Sequence, residues 1–306
     1  MKAVIEPLSA PVIAEKIFAE KTHFAIFSEL IKLRLTTLVL LTTAVGFYIG
    51  ASGPINWSLL LNALLGTALV AGGAAALNQL IEREHDAKMR RTEDRPLPSG
   101  RLQPETVLIF GGLISSVGLG YLAWKVNLLT SILGIATLGS YLFIYTPLKR
   151  VTSLNTVIGA IPGALPPLMG WTAARDQINI EGWALFAILF FWQLPHFLAI
   201  AWMYREDYQR GGFVMLPVID PEGIRTGKQA VSHTLGLLFV SLFPVLLRMA
   251  GWFYCIGAIL LGAIFLGAAI QFSRGLTREQ ARNLFFASII YLPLLLGIMV
   301  FDKIKL

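Results

Sequence analysis

Asn78, Glu82 and Asp86 recur at intervals of four in the stretch NQLIEREHDAKMRRTEDRPLPSGR, residues 78–101. At about 100° per residue, positions i, i+4 and i+8 stay near one helix face, roughly one turn apart. Two carboxylates and a carboxamide stacked this way form a column of hard oxygen donors. Such a column suits Mg²⁺, which takes one or two protein carboxylates and fills its other positions with water or substrate phosphate. Arg90, Arg91 and Arg95 follow at once, and arginine forks match phosphate oxygens. The pattern points to a diphosphate and Mg²⁺ held at a membrane surface. The alternative is a polar loop whose cations only set topology.

A second polar cluster follows the stretch FFWQLPHFLAIAWMYREDYQRGGFVMLP, residues 190–217. Asp207, with Glu206 beside it, stands where Asp86 stands in the first: just beyond a long apolar run and before a basic, glycine-containing loop. Two such halves facing one another across a cavity would be a loose internal repeat, a known design of membrane proteins. Gln193 and His196 lie within the apolar run. Polar groups at that depth are costly and face a cavity or a neighbouring helix, so His196 either touches substrate or bonds to another helix. The run NTVIGAIPGALPPLMGW, residues 155–171, carries Pro162, Pro166 and Pro167. Three prolines predict irregular backbone, which survives at membrane depth only when buried in protein or lining a cavity. Gly159 and Gly163 there fit either that wall or a close helix crossing. Just before it, Tyr145, Lys149 and Arg150 sit where they could reach a diphosphate, or where bases could simply anchor topology.

The elements that position these groups are membrane helices. Of 306 residues, 56% are hydrophobic and only 14% charged, with a mean hydropathy of +0.68; soluble domains are nearer a quarter charged. The apolar residues come in blocks of about 20, the length that crosses a hydrocarbon core. The expected fold is an all-α polytopic membrane protein with nine transmembrane helices around a central cavity opening to the cytoplasmic side. Spans are predicted near 35–50, 58–79, 105–124, 127–145, 154–173, 183–203, 232–249, 252–272 and 283–301. With the N-terminus inside, most of the 25 lysines and arginines fall on the inner side, as the positive-inside rule requires. No linker divides residues 1–306, so a single domain is expected, with residues 1–25 a cytoplasmic N-terminal extension lacking signal-peptide features. The net charge of +7 is explained by those inner-side bases, and no nucleic-acid partner is inferred. The one cysteine, Cys255, precludes an internal disulfide and any multi-cysteine metal cluster.

Together these features describe a cavity for a greasy allylic diphosphate. Metal and cations would stabilise the departing diphosphate, and apolar walls would shield the carbocation from early capture by water. The acceptor stays open at this point. The arrangement Asn78-x₃-Glu82-x₃-Asp86-x₂-Met89-x-Arg91-Thr92-x₂-Arg95-Pro96-Leu97-Pro98-x-Gly100 resembles the first signature of UbiA-type intramembrane prenyltransferases. Its Met-x-Arg-Thr and Arg-Pro-Leu elements are similar to those of the protohaem IX farnesyltransferase branch. Two further stretches agree: Tyr145-Thr-Pro-Leu-Lys149-Arg150-x-Thr152-x₂-Asn155 with Gly163-Ala-x-Pro166-Pro167-x₂-Gly170-Trp171, and Trp192-Gln-x-Pro195-His196-Phe197 with Asp207-Tyr208 and Met215-Leu-Pro217. The resemblance runs from about residue 30 to residue 300.

The resemblance implies transfer of a farnesyl group from farnesyl diphosphate to a vinyl group of haem B, with water addition giving haem O. It implies that Asn78, Glu82, Asp86 and Asp207 hold Mg²⁺ and diphosphate, and that Arg91, Arg95, Tyr145, Lys149 and Arg150 contact the diphosphate. His196 is implied as a haem contact. Glu82 is a departure: the family usually has aspartate there, and the extra methylene alters metal geometry. A bacterial cell inner membrane is the implied location, and a haem-handling or oxidase-assembly partner is compatible with the product's destination. The competing functions are prenyl transfer to an aromatic acceptor, a lipid or anion transporter, and a non-catalytic assembly partner. A transporter would place carboxylates at the midplane, whereas these lie at the inner rim.

Overall fold

The computed structural model describes residues 21–304; residues 1–20, most of the expected N-terminal extension, lie outside the described residues. Among the described residues nine helices are long and apolar enough to span a membrane: α1 (Leu33–Gly50), α2 (Trp57–Asp86), α3 (Pro104–Lys125), α4 (Leu128–Leu148), α5 (Asn155–Arg175), α6 (Ile180–Met203), α7 (Ile224–Leu246), α8 (Trp252–Gly275) and α9 (Arg278–Phe301). Nine spans were expected, and the all-helical, nine-span architecture stands. Two boundaries move in a way that matters. Helix α2 continues past its apolar run to Asp86, so the acidic column is helical throughout. Helix α7 begins at Ile224 rather than near 232, and breaks at Ser241–Leu242 just ahead of Pro244, where a ring in place of an N–H cannot continue the ladder.

Helices α5 and α6 form the centre, and the contacts around them follow from residue size. Helix α5 packs on α1, α4 and α6, while α6 packs on α5, α7 and α9. Gly46 of α1 faces the backbone of Pro167, and Gly170 of α5 faces the backbone of Thr43, so that a Cβ at either would fall about 2 Å from a carbonyl oxygen. The α1–α5 crossing is therefore a backbone-to-backbone contact, the small-residue packing that membrane helices use where burial of apolar surface gives no advantage over lipid. Gly66 and Gly73 of α2 also lie close to α3, where a Cβ would meet the Leu122 and Ser115 side chains and stand 3.5 and 2.7 Å from the Gly118 and Gly111 carbonyl oxygens. The largest apolar core, including Trp171, Trp192, Phe265, Phe272 and Tyr291, lies among α1 and α5–α9. Outward faces are as apolar as the inside, with Ile109, Trp124, Phe143, Phe253 and Ile264 exposed. Such a surface needs lipid, not water, around it.

Two local irregularities position the site. The expected interruption of α5 is absent: the helix is continuous from Asn155 to Arg175 with Pro162, Pro166 and Pro167 inside it. Proline costs a helix its N–H and a clash with the carbonyl four residues back, but its φ is helical, and here the helix is enclosed by three neighbours that hold it. The irregularity is instead in α4, where residues Ser140–Tyr145 form a π-helical turn immediately ahead of Pro147. A wide turn of this kind re-aims side chains and is common at functional sites. It brings both Tyr141 and Tyr145 to the cavity.

Candidate active site

The last three turns of α2 present Asn78, Glu82 and Asp86, all buried, to a cavity of about 450 Å³. Each rung of this column holds a cation from a different element. The Lys32 ammonium donates to Asn78 Oδ1 at 2.9 Å, Lys149 Nζ donates to Glu82 Oε1 at 2.8 Å, and Arg95 Nη1 donates to Asp86 Oδ2 at 2.7 Å. Asn78 Nδ2 donates in turn to Thr146 Oγ1 at 3.1 Å, which pins α2 to the end of α4. Arg91 completes the charged rim, its guanidinium over the rings of Tyr204 and Tyr208 at 5.4 and 5.6 Å. The charged residues lining the cavity are thus Lys32, Arg91, Arg95 and Lys149 against Glu82 and Asp86, a surplus of two positive charges when Lys32 is protonated. The remaining wall is mostly apolar or aromatic, with Leu35, Val39, Ala75, Pro162, Pro166, Leu189 and Phe197, and is interrupted by Thr36, Thr42, Thr137, Thr156 and Gln193.

Electrostatics separates the two lysines. Burial lowers the Lys32 pKa, and the nearby Arg95 and Lys149 charges lower it further, to about 7. Burial opposes the Lys149 ammonium too, but the Glu82 carboxylate, with Tyr145 and Tyr141, outweighs it and holds its pKa above the ordinary lysine value. Lys149 is a fixed charge; Lys32 titrates near neutrality.

The residues expected at the site divide into two groups. Asn78, Glu82, Asp86, Arg91, Arg95, Tyr145, Lys149 and His196 all line the cavity. Asp207 and Arg150 do not. Asp207 lines a separate basic cleft with Arg90, Arg205, Arg210 and Arg278. It accepts from the Arg90 backbone N–H at 3.3 Å and is paired with Arg210, so it ties the 87–103 connection to the short helix Arg205–Arg210. Arg150 is exposed and donates to His85 Nε2 at 3.2 Å, while His85 Nδ1 donates to the Gly211 carbonyl at 2.7 Å. His85, in the last turn of α2, therefore links the α4–α5 connection to the connection between α6 and α7. Lys32 and Tyr141 are further cavity residues that motif spacing does not single out: Lys32 stands at the mouth of α1 away from the acidic stretch, and the π turn that delivers Tyr141 leaves no periodic signal. Gly159 and Gly163 serve as gaps. A Cβ at Gly159 would meet the Tyr145 ring, and one at Gly163 would meet the Gln193 amide, so both glycines make room for polar cavity groups.

Mg²⁺ can be tested against this donor set. Asp86 Oδ1 is buried and has no hydrogen-bond partner, although buried carboxylate oxygens are nearly always satisfied. Among the described residues no group of three or more His, Cys, Asp or Glu side chains is gathered to hold a metal alone. An orphaned carboxylate oxygen with a carboxamide above it, and few protein ligands in all, fits an ion that keeps most positions for water and phosphate.

The chain matches the UbiA prenyltransferase family over residues 39–290. It belongs to that family and is an enzyme, a prenyltransferase. Curated relatives support the assignment across nearly full length. A protoheme IX farnesyltransferase of Solibacter usitatus is 47% identical over 286 residues, covering 90% of this chain and 98% of the relative. One from Opitutus terrae is 44% identical, covering 94% and 98%. Among solved structures, a digeranylgeranylglyceryl phosphate synthase superposes with a TM-score of 0.78 at 18% identity, covering 92% of this chain and 99% of the other. A UbiA homologue from Archaeoglobus fulgidus, solved with GPP and Mg²⁺, gives a TM-score of 0.63 at 16% identity, covering 89% and 99%. At such identities the likeness establishes the fold.

Proposed function

We propose that this prenyltransferase moves a farnesyl group from farnesyl diphosphate to a vinyl carbon of haem B, and that water completes the product as haem O. The observation that carries the reading is the division of the cavity into a cationic end, with an unpaired Asp86 oxygen, and a mostly apolar remainder. A polyprenyl diphosphate has the same division. The names of the 47% and 44% identical relatives supply the acceptor and the prenyl length.

In this mechanism Lys149, Arg95, Arg91 and Lys32 bind the diphosphate oxygens, with Tyr145 beside them. Asp86, with Asn78 and Glu82, would hold Mg²⁺, which when bound neutralises charge on the leaving diphosphate. Anion binding redistributes the pairs already formed: the lysines and Arg95 turn from the column to phosphate, and the column's oxygens become free for the metal. Asp207 joins the metal set only by exchanging its Arg210 partner, and Arg150 reaches phosphate only by leaving His85. The allylic C–O bond breaks with its electron pair going to diphosphate. The vinyl π pair then forms the new C–C bond, and water captures the resulting cation beside the porphyrin and loses a proton. Leu35, Val39, Pro162, Pro166 and Leu189 exclude water from the prenyl tail until that step. His196 contacts the acceptor. The basic-residue asymmetry supports a cytoplasmic N-terminus and cavity mouth, and the bacterial relatives support an inner-membrane location.

The test is purified protein with haem B, farnesyl diphosphate and Mg²⁺, the pigment being read by mass. A Mg²⁺-dependent mass gain of one farnesyl group and one hydroxyl is expected, abolished by EDTA. Asp86→Ala should lower turnover about 100-fold or more without lowering membrane abundance. Transfer to 4-hydroxybenzoate with none to haem would replace the acceptor, and failure to bind farnesyl diphosphate would remove the reaction.

A further inference from the structure

His196 is held in an arrangement that leaves one atom available. Its imidazole is stacked between two aromatic rings, Trp192 at 5.0 Å between centroids with an interplanar angle of 19° and Phe285 at 5.0 Å with 25°. With both faces covered, only the ring's edges can be addressed. One edge is taken: Nδ1 lies 2.7 Å from Ser288 Oγ of α9. The direction of that bond follows from the serine. Ser288 Oγ is also 2.5 Å from the Phe285 carbonyl, an acceptor only, so the hydroxyl proton points there. Ser288 therefore accepts from His196, and Nδ1 carries the imidazole proton. The other nitrogen, Nε2, is left with an in-plane lone pair and has no hydrogen-bond partner among the described residues, and His196 lines the cavity. Trp192 Nε1 donates to the Ser288 carbonyl at 2.8 Å, which locks the sandwich to the same turn of α9.

A neutral imidazole whose Nδ1–H is donated to a fixed oxygen, with Nε2 bare, is the form in which histidine binds metals. On the reading that haem B is the acceptor, we infer that His196 Nε2 is an axial ligand to the haem iron, with Ser288 and the Trp192–Phe285 sandwich as its positioning residues. Ligation would tether the porphyrin by its centre to the middle of α6, and so determine which part of its periphery meets the allylic carbon. It also assigns the lone pair: while it is bound to iron, His196 is not the base that takes the proton from the added water.

The experiment is titration of the full-length protein in nanodiscs with ferric haem B and, separately, with iron-free protoporphyrin IX, read by absorbance, EPR and tryptophan quenching. Wild type should give a histidine-ligated iron spectrum. His196→Ala should lose that spectrum and bind haem at least about tenfold more weakly, yet bind protoporphyrin IX as wild type does. Imidazole added to His196→Gly should restore the spectrum. Ser288→Ala should keep the ligand but weaken its donation, seen as a lower iron–histidine stretching frequency in the ferrous complex. If His196→Ala binds haem with unchanged spectrum and affinity and loses only turnover, the ligation is wrong and a base role replaces it. Equal weakening for both pigments would reduce His196 to shape. If wild type binds neither pigment, the haem reading fails first and the ligation falls with it.

Discussion

Among individual residues, Lys32 separates what a charge does from where it sits. It occupies the left-handed region (φ 49°) at the joint between the short helix His23–Leu30 and α1, a conformation uncommon for a residue with a side chain. That joint aims its ammonium at Asn78 rather than along the membrane surface. With a pKa of about 7, Lys32 is cationic below neutrality and neutral above it. If its cation binds the diphosphate, KM for that substrate should rise as pH increases through 7, by up to about tenfold per pH unit. Lys32→Arg, which stays charged, should flatten the profile; an unchanged slope in that variant would assign the pH dependence to another group. Glu82 is informative for the opposite reason. Its extra methylene relative to aspartate is used here to reach Lys149 at 2.8 Å, a contact that motif spacing along α2 could not show because the partner comes from the end of α4.

At the scale of elements, α5 shows how a helix with three prolines can be the most enclosed span in the fold, with 72% of its spanning window buried. Small residues let its neighbours in close, and that enclosure substitutes for the lost hydrogen bonds. Gly170 carries much of this: a Cβ there would stand 1.9 Å from the Thr43 carbonyl oxygen, backbone that cannot turn aside. Gly170→Ala should therefore cost about 1–3 kcal/mol, seen as a lower melting temperature in detergent. Gly112→Ala in α3 is the control, since nothing lies within 4 Å of its Cβ and alanine favours the helix by about 1 kcal/mol; its melting temperature should hold or rise. Equal behaviour of the two variants would mean that the α1–α5 contact is looser than it stands here.

For the molecule as a whole, the nine spans among the described residues put the two ends of that region on opposite sides. On the proposed orientation, with the basic connections inside, residue 303 lies outside, so alkaline phosphatase fused after it should be active and a fluorescent protein fused there should be dark in an oxidising periplasm. The reverse result would invert the proposed orientation and put the cavity mouth on the other face.

The span count, the acidic column and most of its cations were legible in the amino-acid order, because helical periodicity and hydropathy are local properties and Asn78, Glu82 and Asp86 share one helix. The continuity of α5, the π turn in α4 and the entry of Lys32 and Tyr141 into the cavity were not, since backbone under competing pressures is settled by what encloses it. The pairing of column to cations also belongs to tertiary structure: Lys32, Lys149 and Arg95 come from three connections whose reach depends on how the helices pack. So does the separation of Asp207, which resembles Asp86 by position along the chain but turns to Arg210 and the Arg90 amide because the connections fold across it. Sequence by itself determined the kinds of groups present and their gathering at one end of the helices. Only the packed helices decided which of them face one another, because distances between separate spans are not encoded in spacing along any one of them.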